Sequence, residues 1–396
     1  MIRIAMILAL LAGAVQAQDG RLQAWLNAEV WPEARAAGVS RAVFDRAFAN
    51  VALDRDLPGI ALPGSRKPDL KQSEFRSPAR YFRASTIDGI TRIGAQKARQ
   101  YRTSLARAER RFGVPAHIIL AIWGRESGFG STIGNRNAYE VLATRAFFGP
   151  NKDYFRGELV AALKIGNGAR VRSSWAGALG QAQMMPTSFL AYGADGDGDG
   201  DVDIWGSEAD TIFSIARFLA DHEWQAGRDW GFEVKVPGHV SCALEGPDKA
   251  RSIRDWEALG ITRVSGRPFP AHERPQAASL LFPAGRYGPA FLVTPNFDVI
   301  KRYNRSDLYA LFIGNTGDRI AFGMGGFAEP WRAPSGLTRA DVADIQAGLT
   351  DRGFDTGGVD GLAGHRTRRA IGAWQQSTGR APTCFPESSV RRALRG

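Results

Sequence analysis

Beyond its first 17 residues, the sequence lacks any apolar run long enough to span a bilayer, so we expect no later membrane-spanning segment. It also lacks a dense basic helix or a nucleic-acid-binding motif, so its net charge of +11 does not by itself indicate nucleic acid as a partner. Cysteine is scarce, with only two residues. The 44% of apolar and 23% of charged residues are typical of a soluble globular protein, and a chain of 396 residues predicts two folded units.

The N-terminus has the pattern of a secretory signal peptide. Arg3 precedes an apolar run, and small residues follow as far as Ala17, which predicts cleavage after residue 17. An N-terminal membrane anchor is the alternative, but the apolar run is short for a bilayer. The residue directly after Gly13 is Ala14 and not cysteine, so we expect no lipid anchor and a soluble exported protein.

Export bears on the cysteines and on the charge. An oxidising compartment permits a disulfide between Cys242 and Cys384, and two separate buried thiols are the alternative. The positive charge favours an anionic partner such as peptidoglycan carboxylates or envelope polymers, although a solvated Arg-rich surface would have the same composition.

Hydrophobic periodicity divides the chain. Residues 19 to about 225 are predicted to be mostly helical, and residues 232 to about 295 to contain short strands and loops. The individual predicted elements are helices at 101–112, 115–126, 210–225, 296–305 and 307–313, and strands at 232–236 and 290–293. Residues 329–335 are predicted to be a linker before a small helical unit.

The segment from residue 115 to residue 130 predicts a helix that ends in a carboxyl group. Pro115 suits the first turn, and glycines end the helix. Ile118, Ile122 and Glu126 are four residues apart, which places Glu126 on the apolar face at the C-terminal end. Burial and the helix dipole both favour the protonated carboxyl group there, the form that a general acid requires. A solvated helix-end glutamate is the alternative.

Three blocks in this order carry a resemblance to a known family. They are Trp123–Gly130 (WGRESGFG), Ser174–Pro186 (SWAGALGQAQMMP) and Tyr303–Tyr309 (YNRSDLY). They resemble the motifs of the lytic murein transglycosylase B family, although Met184 stands where that family more often has Phe.

The resemblance implies a lysozyme-like helical catalytic domain with a small mixed insertion, within a mainly α (α+β) chain. It implies that Glu126 is the only catalytic acid and base, and that the β-1,4 bond between N-acetylmuramic acid and N-acetylglucosamine is cut with formation of a 1,6-anhydromuramic acid end. We therefore expect a periplasmic monomer that acts on peptidoglycan glycan strands without a catalytic cofactor. The implied substrate-binding residues are Ser174, Gln183, Tyr303, Asn304 and Tyr309.

An acidic loop predicts a metal site. Residues 195–206 place carboxylates at loop positions 1, 3, 5, 7 and 9 and glycine at position 6, as in calcium loops. Gly206 replaces the glutamate expected at position 12, and Asp210 is the substitute that the resemblance supports. We expect a structural Ca²⁺ (or Na⁺), with a solvated acidic loop as the alternative. The predicted ligands are Asp195, Asp197, Asp199, Asp201, Asp203 and Asp210.

The C-terminal segment resembles the peptidoglycan-binding domain of cell-wall hydrolases, through Asp360-Gly361 and Thr367 within a glycine-rich stretch. A helical bundle that only stabilises its neighbour is the alternative. The expected organisation is a signal peptide at 1–17, a catalytic domain at 18–328, a linker at 329–335 and a peptidoglycan-binding domain at 336–396. Two rival functions remain, namely a hydrolytic muramidase and a non-catalytic, calcium-binding wall adaptor.

Overall fold

The computed structural model describes residues 20–60, 78–334 and 336–395. The described residues divide into two compact units, the first made of residues 20–60 and 126–218 and the second of residues 78–125 and 219–395. The predicted signal peptide lies outside the described residues.

The fold is mainly helical with small sheets, as predicted. The helices are α1 (Trp31–Ala36), α2 (Arg41–Phe48), α3 (Ala84–Gln100), α4 (Arg102–Phe112), α5 (Ala116–Ser127), α6 (Ala138–Phe148), α7 (Lys152–Gly166), α8 (Pro186–Tyr192), α9 (Glu208–Asp221), α10 (Ile253–Ala258), α11 (Pro295–Tyr303), α12 (Asp307–Phe322), α13 (Arg339–Thr350), α14 (His365–Ser377) and α15 (Ser388–Arg395). The strands are β1 (Arg136–Asn137), β2 (Arg172–Ser173), β3 (Gly231–Lys235), β4 (Arg251–Ser252), β5 (Thr262–Arg263), β6 (Ala277–Leu281) and β7 (Ala290–Val293).

The first unit is organised around α6 and α7, which pack along each other. Asparagines set their ends: Asn137 caps α6 by accepting a hydrogen bond from the Tyr139 amide, and Asn151 and Asn167 flank α7 in the left-handed conformation that asparagine tolerates. The short β1 and β2 pair antiparallel beside them. Leu142 and Leu159 belong to the buried core that these two helices share with α1 and α2.

The second unit contains the strand region predicted between residues 232 and 295. Its five strands form an antiparallel sheet in the order β4-β6-β7-β3-β5. In β3 the side chains of Phe232 and Val234 are buried, with Glu233 between them on the opposite face, as the period of a strand requires. Trp256 of α10 is buried against the sheet, and its indole donates to the Ala278 carbonyl at 2.9 Å.

Helix α12 is longer than the predicted 307–313, because its glycines serve packing and do not end the helix. A Cβ atom on Gly314 would collide with the indole of Trp230, and one on Gly317 would lie 3.1 Å from the imidazole of His117. The helix instead ends at Gly323, which adopts the left-handed conformation.

The C-terminal helices α13, α14 and α15 enclose a small core of their own, which includes Ile345, Ile371 and Trp374. The buried Gln346 of α13 holds the glycine-rich turn region. Its amide nitrogen donates to Asp360 Oδ1 and Thr367 Oγ1 at 3.0 Å each, and its oxygen accepts from the Gly361 amide at 2.7 Å. The residues that carried the resemblance of this segment therefore have a structural role.

A disulfide settles the question that the sequence left open for the cysteines. Cys242 and Cys384 are bonded, with Cα atoms 6.2 Å apart and 142 residues between them in the chain. Gly372 of α14 lies against this bond, where a Cβ atom would collide with Cys384 Sγ. The bond joins the C-terminal helices covalently to the sheet region of the second unit.

The predicted linker is held against the second unit. We call residues 327–334 the strap. Its Trp331 stacks on Phe82 with ring centroids 5.0 Å apart and an angle of 6° between the planes. The amides of Ala328 and Glu329 each donate to the carboxylate of Glu233 at 2.9 Å. The strap thus packs as an ordered segment.

Candidate active site

Helix α5 brings Glu126 to the end of a buried apolar helix, as predicted. Pro115 precedes its first residue, and Ile118 and Ile122 are buried on the face that Glu126 shares. Glu126 itself is half-buried in the last turn. The chain then leaves the helix through three consecutive residues in the left-handed region, at φ 57° for Gly128, 59° for Phe129 and 86° for Gly130.

Hydrogen bonds fix the turn that follows Glu126. The buried Ser127 accepts from the Gly130 amide at 3.0 Å through its hydroxyl group and from the Thr132 amide at 2.9 Å through its carbonyl group. The left-handed Phe129 is strained for a residue with a side chain, and such strain persists only where the surroundings enforce it. The turn therefore holds the end of α5 in one conformation.

The second sequence block packs against this turn. A Cβ atom on Gly130 would lie 2.5 Å from Gln181 Oε1, and one on Gly134 would collide with the carbonyl group of Ser173. Glycine at these two positions allows the backbone after Glu126 to approach both the start of the block and Gln181 within it. In this way the fold brings the segments of Glu126, Ser174 and Gln183 together within the first unit.

Ser174 and Gln183 both make backbone hydrogen bonds. The half-buried Ser174 accepts from the amides of Ala176 and Ala178 at 3.3 and 3.2 Å, which shapes its loop. Gln183 has a left-handed φ of 50°, and its amide nitrogen donates to the Gly180 carbonyl at 2.8 Å. Their roles as substrate contacts stay predictions.

The third block lies in the second unit, at the junction of α11 and α12. Tyr303 is the last residue of α11, and Asn304 is exposed in the turn, where its side chain accepts from the Ser306 amide at 3.1 Å. Ser306 caps α12 by accepting from the Tyr309 amide. The side chain of Tyr309 is buried. Substrate contact by these three predicted residues also stays a prediction.

The acidic loop gathers three of the six predicted metal ligands. Carboxylate oxygens of Asp195, Asp197 and the buried Asp210 lie within 4.8 Å of one another. Asp199 and Asp201 are exposed along the loop. The carboxylate of Asp203, also exposed, accepts from the amides of Trp205 and Gly206 at 2.8 and 3.0 Å.

Loop geometry supports the position that Asp210 was given. Its two oxygens accept from the amides of Gly196 and Asp203, at 2.7 Å each, so it joins the two ends of the loop. Gly200, at loop position 6, has the positive φ of 94° that the sharp turn of a calcium loop requires. Three carboxylates this close repel one another unless a cation lies between them, so the donor set fits a hard cation.

Two ionisable residues near the start of α5 were missed by sequence reasoning. Burial lowers the pKa of His117 to about 4, so this residue of α5 is neutral near pH 7. Burial also raises the pKa of Asp318 of α12 to about 7, although the Trp230 indole donates to it at 3.1 Å. Trp230 and Asp318 are 88 residues apart, and no pattern in the sequence signals such a contact.

Comparison with known families decides where the chain belongs. The model of the transglycosylase SLT domain matches residues 21–318, which is more than half of the chain. The chain belongs to this family. Residues 338–394 match a peptidoglycan-binding domain, as the resemblance of the C-terminal segment predicted.

One curated relative agrees with this placement. The membrane-bound lytic murein transglycosylase B of Escherichia coli (strain K12) is 32% identical over 228 residues, which cover 56% of this chain and 61% of that protein. The chain thus spans less than two thirds of that relative's length.

Among the described residues, no helix combines the length and the apolar character needed to cross a membrane.

The structure of SltB3 from Pseudomonas aeruginosa in complex with NAG-anhNAM-pentapeptide matches with a TM-score of 0.81 and 35% identity, over 95% of this chain and 99% of that chain. The Escherichia coli lytic transglycosylase Slt35 in complex with calcium matches with a TM-score of 0.53 and 29% identity, over 64% of this chain and 80% of that one. The predicted fold class, with its lysozyme-like catalytic part, is confirmed.

Proposed function

We propose that this SLT-domain protein is a lytic transglycosylase that cleaves the β-1,4 bond between N-acetylmuramic acid and N-acetylglucosamine in peptidoglycan during cell-wall remodelling. The observation that carries the proposal is the position of Glu126, at the end of a buried helix on a turn packed against the second block. The ligand of SltB3, NAG-anhNAM-pentapeptide, supports a 1,6-anhydromuramic acid product for this chain as well.

Glu126 acts first as the general acid. Its proton passes to the glycosidic oxygen while the bond from that oxygen to C1 of muramic acid breaks, so the departing sugar keeps the bonding electron pair and gains a hydroxyl group. Positive charge develops at C1, as in other glycosidase transition states. Glu126 is left as a carboxylate.

The same carboxylate then acts as the general base. It accepts the proton of the muramic acid 6-hydroxyl while that oxygen bonds to C1 of its own ring, which closes the anhydro bridge and restores the protonated acid. An internal nucleophile has a high effective concentration, so the reaction needs neither a water molecule nor the second carboxylate of an ordinary glycosidase. This is why one acidic residue suffices.

The remaining predicted site residues position the substrate. Polar groups that are fixed before the reaction can orient the N-acetyl group and stabilise the charge that develops near C1. We assign this role to Ser174 and Asn304, with further contacts from Gln183, Tyr303 and Tyr309. The fixed loop of Ser174 and the exposed turn of Asn304 support the assignment.

We further propose that the acidic loop binds a structural Ca²⁺ (or Na⁺). Asp195, Asp197 and Asp210 would provide the central ligands, with Asp199, Asp201 and Asp203 along the same loop. A bound cation would neutralise the cluster and hold the loop, and it has no part in the proton transfers. The calcium complex of Slt35 supports this site.

The proposed setting is the periplasm, reached through cleavage of a signal peptide at 1–17, and the protein would act as a soluble monomer. A catalytic domain at 18–328, a linker at 329–335 and a wall-binding domain at 336–396 complete the proposed organisation. The match of residues 338–394 to a peptidoglycan-binding domain supports wall attachment, which raises the local concentration of substrate.

Mass spectrometry of the products from purified sacculi tests the proposal. A lytic transglycosylase releases muropeptides with 1,6-anhydro ends, whereas a hydrolytic muramidase releases reducing ends that carry the mass of one more water. A calcium-binding adaptor would release neither. Reducing ends as the main product, or no soluble product, would contradict the proposed reaction.

A further inference from the structure

The loop of the second block exposes a large aromatic ring beside the candidate active site. Trp175 follows Ser174 directly, and its side chain is 52% exposed. A tryptophan usually buries most of its ring, so a half-exposed indole in an otherwise fixed loop calls for a binding partner.

A buried cation supports one face of this ring. The guanidinium carbon of Arg145, from α6, lies 5.3 Å from the centroid of the Trp175 ring, and its Nη2 donates to the Trp175 carbonyl at 3.0 Å. On its other side the guanidinium lies 5.4 Å from the ring of Phe155. Arg145 thus holds both the backbone and the ring of Trp175, while about half of this residue stays exposed.

Arg145 has no carboxylate within ion-pair distance among the described residues, although only 9% of it is exposed. Its hydrogen bonds go to carbonyl oxygens, those of Trp175 and, more weakly, Pro58. Burial lowers its pKa, and the nearby charge of Asp54 acts in the opposite direction. Burial of a charged guanidinium without an ion pair costs folding free energy. That this cost is accepted beneath an exposed ring indicates that the position of the Trp175 ring serves a function.

We propose that Trp175 is a sugar-stacking platform, which binds a pyranose ring of the glycan strand beside the site of cleavage. This inference rests on the proposed function and names a further contact of the same site. The C–H groups on one face of a pyranose make an apolar surface that suits the negative face of an indole. Trp175 adjoins Ser173 and Ser174, and Gly134 of the segment that follows Glu126 packs against the backbone of these two serines, so the platform is continuous with the candidate active site.

The same geometry argues against the peptide stem as the occupant of this platform. Stem peptides carry carboxylates, which an accessible guanidinium would attract. The guanidinium of Arg145 is not accessible to a carboxylate, because it is buried beneath the ring and its hydrogen bonds are directed to main-chain carbonyls. The exposed surface is therefore aromatic, and it fits an uncharged sugar face.

Binding of peptide-free glycan strands tests the platform independently of turnover. Glu126→Gln is the reference protein, since it keeps strands intact, and Glu126→Gln combined with Trp175→Ala is the test. We expect the dissociation constant to rise about tenfold, the size of one lost aromatic contact. Trp175→Phe, which keeps a flat ring, should restore most of the affinity, and Met324→Ala, which removes a side chain that is 53% exposed elsewhere, should change nothing.

Turnover gives a second readout. In the protein with Glu126 intact, Trp175→Ala should raise KM for long glycan strands and leave kcat within about twofold, since the ring touches no reacting atom. Equal strand affinity with and without the Trp175 ring in a folded protein would overturn the platform. So would an affinity loss seen only with free stem peptides. If the Glu126→Gln reference protein binds glycan strands through Trp175 but the wild type yields no anhydro product, the proposed reaction fails and the platform stands.

Discussion

Arg368 of α14 forms a buried, bidentate ion pair with Glu245, which precedes it by 123 residues. Its Nη2 lies 2.6 Å from Glu245 Oε1 and its Nε 3.1 Å from Oε2, and Glu245 has no exposed surface. Asp307, the first residue of α12, lies 3.3 Å from the same guanidinium. Burial alone would lower the pKa of Arg368, but the two carboxylates outweigh it, so the pKa is raised and the charge is held.

This pair predicts that the C-terminal helices contribute to the stability of the whole second unit. Arg368→Met should lower the free energy of unfolding by about 3–5 kcal/mol, because it leaves the Glu245 carboxylate buried without its partner. Chemical denaturation measures the change. Arg369→Ala breaks the more exposed pair with Asp248 and should cost less than about 1 kcal/mol. Equal effects of the two substitutions would contradict the assignment.

Removal of the acid at residue 126 tests the chemistry. Glu126→Gln keeps the size of the side chain but cannot transfer the proton, so release of anhydro-muropeptides from sacculi should fall about 10²- to 10⁴-fold. The melting temperature should stay close to that of wild type. Glu109→Gln, the same exchange at an exposed residue of α4, is the control and should keep full activity. Retention of most activity by Glu126→Gln would refute the single-acid mechanism.

The acidic loop predicts cation-dependent stability. Calcium at about 100 times its dissociation constant should add about 2.7 kcal/mol to the free energy of unfolding, and a chelator should remove this gain. Asp210→Asn should abolish the response, because Asp210 closes the cluster from the end of the loop. Asp351→Asn, at the exposed end of α13, should keep it. A melting temperature indifferent to both calcium and chelator would exclude the site.

Asp318 predicts a pH dependence of stability. Its pKa rises from the ordinary 3.8 to about 7 in the folded protein, so the folded state binds a proton that the unfolded state has lost at intermediate pH. The contribution of this residue is therefore fully present below about pH 3.8 and is lost as the pH rises to about 7. Asp318→Asn, which still accepts from the Trp230 indole, should flatten this part of the stability profile. An unchanged slope between pH 4 and 7, measured by denaturation, would disprove the link.

The sequence predicted the elements whose signals are local. Pro115 and the glycines after Glu126 predicted the ends of α5 to within a residue, and the short run of residues 232–236 in a Pro- and Gly-rich region predicted β3. The predicted helix stopped at residue 313, one residue before Gly314. Glycine often follows the end of a helix, whereas Gly314 lies inside α12 and admits the Trp230 indole. A local signal cannot distinguish these two uses of glycine.

Contacts between distant residues account for most of what the sequence could not predict. The family resemblance supported Asp210 as the substitute ligand, but the backbone amides that it joins became visible only in the fold. Nothing in the sequence pairs Arg368 with Glu245 or Arg145 with Trp175, because neither pair has a periodic relation. Such pairs depend on the packing of whole elements, which a residue pattern does not encode.

The docked strap has a mechanical consequence. A flexible linker would let the C-terminal helices α13, α14 and α15 move through a volume set by the length of the linker. The stacking of Trp331 on Phe82 and the disulfide between Cys242 and Cys384 remove that freedom. The distance between these helices and the turn of Asn304 is therefore fixed. A glycan strand that made the proposed contacts at both places would therefore have to match this distance, and its own repeat length would decide which of its bonds is presented.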